Sequence, residues 1–330
     1  MSKTTPFIRV AMFVLLACIA NIASAAAIRV EVFAPGVISG GAHDSAPAFG
    51  PSGKVVYFGR SSPAQSVILV SRLGSDGKWS QPDIAPFSGR WHDMEPAMSP
   101  DGHYLVFVSN RPDQGDAPEV EGYFNGSKQM GGRLWRVDRE GDGWSTPRLL
   151  PAQVNVSTTV FAPSVARDGS LYFMTPDAKS GKFRLFRAQA IANGYAAAVA
   201  LPFSDGSQTD VDPAVAPDES FLVFGSGRIP GRSIDLFVVF RDGNGWGAPI
   251  PLGDDVNSPG SDAEPRLAPD GQHLYFSSER TEPVVYPRTR QQAERDLARM
   301  NDWDNGNYNI WQVPLQPLLE RARQRKSNRP

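Results

Sequence analysis

The chain has 330 residues, a net charge of −2, and 41% hydrophobic and 10% aromatic residues. These values describe a globular protein and exclude a disordered chain or a coiled coil. The near-zero charge gives no electrostatic basis for a nucleic-acid partner.

Residues 1–27 read as an export signal. Lys3 and Arg9 form a positive n-region, residues 10–20 an apolar h-region, and Ala23-Ser24-Ala25 a small-residue cleavage site. The apolar run is short for a membrane span. Cys18, the only cysteine, lies inside it. Cleavage near residues 25–27 therefore leaves a mature chain without disulfides or thiol chemistry. Leu15-Leu16-Ala17-Cys18 resembles a lipobox and offers the alternative, a lipoprotein anchored through Cys18, the one route by which this chain would meet a membrane. The expected location is the periplasm or the cell exterior.

Residues 30–33 read as a strand with no upstream partner. From residue 43 onward one unit recurs. Its clearest copy is HDMEPAMSPDGHYLVFVSNR, residues 92–111. It reads as strand, tight turn, strand: Pro100 presets φ, Asp101 caps the turn and Gly102 supplies a positive φ. The run that follows, rich in aromatic and β-branched residues, suits a pleated sheet. Copies begin near Asp44, Asp93, Val160, Asp210 and Asp262. Their shared prolines, Pro47, Pro96, Pro163, Pro213 and Pro265, lie 49, 67, 50 and 52 residues apart. A period near 50 with several short strands per copy marks a propeller.

Each copy yields a lead-in strand, a second strand of YFxS type, a third such as residues 67–70 or 236–240, and an aromatic-led fourth at Trp79, Trp144, Tyr195 and Trp246. The last copy lacks the fourth, and residues 30–33 are expected to supply it, closing the ring and removing its free edges. The expected fold is all-β, a five-bladed β-propeller over residues 28–317. A six-bladed propeller is the alternative, but the surplus between the second and third copies is 17 residues, too few for a blade. Residues 113–132 are expected to form a long loop and residues 287–307 an insertion with a short helix. Function concentrates on such segments when a rigid scaffold carries them. Residues 318–330, rich in arginine, read as a helix start ending in a frayed, solvated tail.

The recurring E/D-P-x-x-[SA]-P-D-G-x-x-L-x-F-x-S-x-R resembles the WD40-like β-propeller repeat of the TolB family of bacterial periplasmic proteins. Residues 95–111 and 264–280 carry it most fully. The copy at 212–228 has Asp218-Glu219 in place of Asp-Gly, and the third, with Arg167-Asp168-Gly169, lacks the Ser-x-Arg. The resemblance spans nearly the whole mature chain. It implies export, a propeller, and recognition of an envelope protein or a peptidoglycan-associated partner. It does not carry TolB's own role, because TolB has six blades and an additional N-terminal α/β domain for which this sequence leaves no room.

Two columns of the repeat are acidic. Asp44, Asp93, Asp210 and Asp262 stand three residues before the shared proline, and Glu95, Asp212 and Glu264 stand one before it. His43 and His92 occupy matching positions beside them. Together they predict an acidic ring at one mouth of the channel, able to bind a basic peptide segment. A divalent cation held through oxygens is the alternative occupant, with the histidines completing a mixed site; no other cofactor is expected. The competing structural reading pairs these carboxylates with Arg111, Arg228 and Arg280 between blades or at strand ends. The recurring aromatics are expected to pack between blades rather than to stack on sugars.

Enzyme motifs are missing: the sequence has no G-x-S-x-G elbow, no H-E-x-x-H and no Walker loop. The expected function is that of an exported scaffold binding a protein or peptide in the cell envelope. The alternative is a glycan-acting hydrolase or lyase that uses two carboxylates of the ring.

Overall fold

The computed structural model describes residues 28–115, 117–124 and 127–327. The export signal, its cleavage site and Cys18 lie outside the described residues. Among those described, no helix is long and apolar enough to cross a membrane.

Five antiparallel sheets form a five-bladed β-propeller. The innermost strands are His43–Phe49, Asp93–Met98, Phe161–Val165, Asp210–Val215 and Asp262–Leu267. Each pairs with a second strand, Val55–Ser62, Tyr104–Ser109, Leu171–Pro176, Phe221–Ser226 and His273–Ser278. The second strands are buried on both faces, which is why their sequences run apolar without alternation. Tyr57 and Phe58 point to different seams between blades, as do Tyr172 and Phe173. The hydrophobic core is thus divided into five clusters, one per seam.

The ring closes as the sequence predicts. Glu31–Val32 pairs antiparallel with Asn309–Pro314, setting Glu31 opposite Gln312 and Val32 opposite Trp311, and so becomes the outer strand of blade 5. Phe33, just beyond, packs edge-on against Phe49, Trp79 and Tyr275.

The outer strands of the other blades depart from expectation. They form after the aromatic-led segments, at Asp83–Ile84, Arg148–Leu149, Val199–Ala200 and Ile250–Pro251. Trp144, Tyr195 and Trp246 instead sit on short hairpins at the ends of the third strands. From there Trp144 contacts Tyr57 and Phe87 of blade 1, and Trp246 contacts Tyr172 and Phe203 of blade 3. The aromatic leaves the ladder because its ring stabilises more when buried in a seam than when standing on an exposed outer strand.

Two faces result. The turn face carries the Pro-Asp-Gly turns between first and second strands. The insertion face carries the starts of the inner strands and both long insertions. The first insertion, expected as a loop, contains a hairpin, Glu121–Phe124 with Ser127–Met130. The second contains α1, Arg290–Arg299, whose Thr289 and Gln292 form a capping box. Beyond Pro314 the chain does not fray as expected: α2, Leu315–Ser327, buries Leu315, Leu318, Leu319 and Ala322 against blades 4 and 5. Arg321 pairs with Asp255, and Lys326 with Asp242.

Candidate functional site in the channel

The expected acidic ring separates into two sets. Members of the outer set are consumed within their own blades. Asp44 accepts from Arg60 at 2.6 Å and from the backbone N–H of Gly40 at 2.8 Å. Asp93 accepts from Arg111 at 2.6 Å, from Ser88 Oγ at 2.9 Å and from Gly89 N–H at 3.2 Å. Asp210 takes Ser226 Oγ at 2.6 Å and Arg228 at 2.7 Å. Asp262 accepts from Ser258 N–H and Ser278 Oγ, with Arg280 close by. The same arginines donate to the loop carbonyls of Ile38, Phe87, Phe203 and Val256. Each therefore ties the end of a second strand to the segment leading into the first. All four aspartates are at most 1% exposed, and burial pushes the pKa of Asp44, Asp210 and Asp262 up against the pull of their arginines. The ion pairs lie within blades, not between them.

The inner set is built differently. Ala46, Glu95, Ala162, Asp212 and Glu264 all hold φ between 48° and 55°, and the strand register shifts at each of them. Every inner strand thus carries a β-bulge with a left-handed residue just before its proline. Proline, having no N–H for the ladder, is tolerated in a strand at such a place. Because the alanines share the conformation, it belongs to the repeat. Where the residue is acidic, it delivers a carboxylate toward the axis. Glu95 accepts from the backbone N–H of Ala162 at 2.6 Å, reaching from blade 2 to blade 3. Asp212 accepts from Glu264 N–H at 3.1 Å, reaching from blade 4 to blade 5. Glu264 accepts from Ser277 Oγ at 2.7 Å.

The charges of these carboxylates repel one another where Glu95 and Asp212 are buried. Burial, and then the charges of Asp212 and Glu264, push Glu95 up to about 8. Burial and Glu264 push Asp212 up to about 7. Glu95 therefore keeps its proton at neutral pH. One cation offsets the repulsion in part: Arg266, 6% exposed, at a position that is Ala48, Ala97, Ser164 and Ala214 in the other copies. Its charge draws the pKa of both Glu95 and Asp212 down. Its Nη1 donates to Pro265 O at 2.8 Å, while Nε and Nη2 have no hydrogen-bond partner among the described residues. Toward the turn face the channel ends in a small cavity of about 110 Å³ lined by apolar residues including Phe49, Met98, Val165, Val215 and Leu267.

The histidines stand apart from the inner set. His43 Nδ1 accepts from Tyr308 N–H at 3.2 Å. His92 donates its backbone N–H to Asn110 at 3.0 Å and lines a separate cavity beside Glu119, Lys128 and Gln129. Among the described residues no group of three or more His, Cys, Asp or Glu side chains is arranged to hold a metal ion. Sequence reading located the acidic columns but missed Arg266 and the bulge. The signal for the arginine was its charge at a position that is small in every other copy.

No protein-family model matches the chain, and no curated protein does. Solved structures similar to it include TolB proteins from Agrobacterium tumefaciens and Acinetobacter baumannii. The first shares 20% identity over 75% of this chain and 73% of that one, with a TM-score of 0.47. The second shares 13% over 83% of this chain, which spans 55% of its length, with a TM-score of 0.46. A gluconolactonase from Xanthomonas campestris shares 15% identity over 87% of this chain and 89% of that one, with a TM-score of 0.49. The likeness is one of fold.

Proposed function

We propose that this protein is an exported β-propeller scaffold that binds a protein or peptide partner in the bacterial cell envelope through its insertion face. The observation that carries this reading is the fate of the outer carboxylates. They are spent on fastening blades, so the channel mouth is framed by rigid, satisfied structure. Above it rise two insertions with exposed apolar side chains. Tyr123 is 63% exposed on the hairpin, and Val285 and Tyr286 are 74% and 70% exposed in the segment that leads into the second insertion. Exposed aromatic and aliphatic side chains within a polar rim are what protein recognition uses. Export rests on residues 1–27.

The test is a crosslinking pull-down from envelope extract of the source organism, with the mature chain from Ile28 as bait. A Tyr123→Ala/Val285→Asp/Tyr286→Asp variant, all at surface positions, is run beside it. A specific protein retained by the wild type and lost by the equally folded variant is the expected result. Equal retention by both, or none by either, overturns the reading.

A second reading, glycan hydrolysis or elimination, is favoured by one observation: Glu95 and Asp212 stay protonated where ordinary carboxylates ionise, as a general acid must. Arg266 and the burial of Glu95 and Asp212 weigh against it, since a glycosidase needs its carboxylate pair in an open cleft.

A further inference from the structure

On the turn face four of the five seams between blades are closed by different devices, and one stays open. Between blades 1 and 2, Trp144 Nε1 donates to Tyr57 Oη at 2.9 Å. Between blades 5 and 1, Trp79 packs against Phe33 with ring centroids 5.5 Å apart. Between blades 4 and 5, α2 lies across the gap, with Leu315 N–H donating to Gln272 O at 2.8 Å and Arg323 over the Phe240 ring. Between blades 3 and 4, Trp246 packs against Tyr172 and the carboxylate of Glu219 takes three donors. These are Tyr172 Oη at 2.7 Å, Arg187 Nε at 2.7 Å and Arg241 Nη2 at 3.0 Å. A cavity of about 260 Å³ remains there.

The seam between blades 2 and 3 instead holds a cleft of about 610 Å³, lined by Tyr104, Arg136, Arg148, Arg167, Gly169 and Tyr195 among others. That volume lies within the roughly 300–1,000 Å³ of small-ligand sites. The turn position occupied by Glu219 in blade 4 is Gly169 in blade 3. A Cβ on Gly169 would meet only Ala190 Cβ at 3.5 Å and Tyr104 Oη at 3.7 Å. The cleft therefore opens where blade 4 places its own carboxylate.

Its polar groups are unbalanced. The acceptors carry donors from the protein: Asp101 Oδ1 accepts from Ser99 Oγ and His103 N–H, and Asp168 accepts from Ser170 N–H and Oγ and faces Arg187 at 3.6 Å. Asp138 takes Arg136 and the Nε of Arg148. The donors are not used up. Arg167 acts on Asp218 through its charge but makes no side-chain hydrogen bond among the described residues, and neither does the Tyr104 hydroxyl. The terminal nitrogens of Arg148 are likewise uncommitted, on a side chain 52% exposed. A site with donors to spare asks its ligand for acceptors, and guanidinium groups beside tyrosine hydroxyls suit a carboxylate.

We propose that the blade 2–3 cleft binds a carboxylate supplied by a ligand, as the blade 3–4 seam holds that of Glu219. The carboxylate can come from a small free acid or from the acidic side chain of a peptide. This site is on the opposite face from the insertions and does not depend on the scaffold reading.

Calorimetric titration of the mature chain with three probes tests it: acetyl-Ala-Glu-Ala-amide, its Gln counterpart, and glutarate. The Glu peptide or glutarate is expected to bind, with the Gln peptide at least tenfold weaker than the Glu peptide. Glutarate binding as tightly as the Glu peptide marks a small acid as the source; a tenfold preference for the peptide marks a side chain. Gly169→Glu, which brings a tethered carboxylate, is expected to abolish binding, and the φ of 56° at Glu219 shows that this turn position accepts such a residue. Arg167→Gln, at an exposed position, is expected to weaken binding at least fivefold, and it keeps the test decisive if the first variant misfolds. Failure of both carboxylate probes to bind overturns the proposal. So does equal binding of the Gln peptide, or wild-type binding by folded Gly169→Glu or by Arg167→Gln.

Discussion

Asp93 is wholly buried, and the side chain of its partner Arg111 is only 10% exposed. Removing one member of such a pair leaves a charge that can be neither solvated nor matched. Arg111→Ala is therefore expected to cost about 3–5 kcal/mol in urea denaturation, and Arg111→Ala combined with Asp93→Ala less than that. An Arg111→Ala cost below about 1 kcal/mol would show that the pair fastens nothing. Glu95 and Asp212 give a pH prediction. Their folded values, about 8 and 7, stand above the ordinary 4.5 and 3.8. Between those limits the folded chain binds more protons than the unfolded one. Their contribution is thus fully present at acid pH and is lost as pH rises through 7 and 8. Asp44, Asp210 and Asp262, also raised, add the same sign. The melting temperature is expected to fall between pH 5 and 9, with a shallower slope in Glu95→Gln. An unchanged slope in that variant would mean that the buried cluster does not carry the effect.

Two elements owe their order to docking rather than to propensity. α2 has arginines along its length and reads as a solvated tail, yet Leu318 and Leu319 are 1% and 2% exposed against blades 4 and 5. Leu318→Ala is expected to lower stability by about 2–5 kcal/mol, the usual cost of deleting a buried leucine side chain, measured by chemical denaturation. A frayed tail would show no change. The aromatic hairpins teach a related lesson. Strand propensity placed Trp144 and Trp246 on outer strands, whereas seam burial moved them onto hairpins beside the preceding blade. One-dimensional patterning contains the aromatic but not the surface it will cover.

Across the whole molecule, closure of the ring depends on the pairing of Glu31–Val32 with Asn309–Pro314, residues nearly 280 positions apart. A chain starting at Ala34 loses that strand and the Phe33 cluster, and leaves Asn309–Pro314 as a bare edge. Such edges recruit other strands. The shortened chain is expected to melt lower and to elute partly as dimers or larger species in size-exclusion chromatography, while a monomer of unchanged stability would show that closure is dispensable.

The number of blades, the closing strand, the turns and α1 were legible in the chain before any contact was known. The first three follow from local chemistry repeated at a fixed period: turn residues, β-branched and aromatic runs, and a missing fourth strand at one end; α1 follows from the run of helix-forming residues in the second insertion. The sequence also located both acidic columns. What it left open was which column is structural and which faces the axis, because that depends on a bulge two residues long and on where five strands converge. Only the tertiary structure set Arg266 among Glu95, Asp212 and Glu264, docked α2, and left the seam at Gly169 open. Those features arise from contacts between elements far apart in the chain, so that a departure from the repeat, such as Arg266 or Gly169, is visible in the sequence while the surface it meets is not.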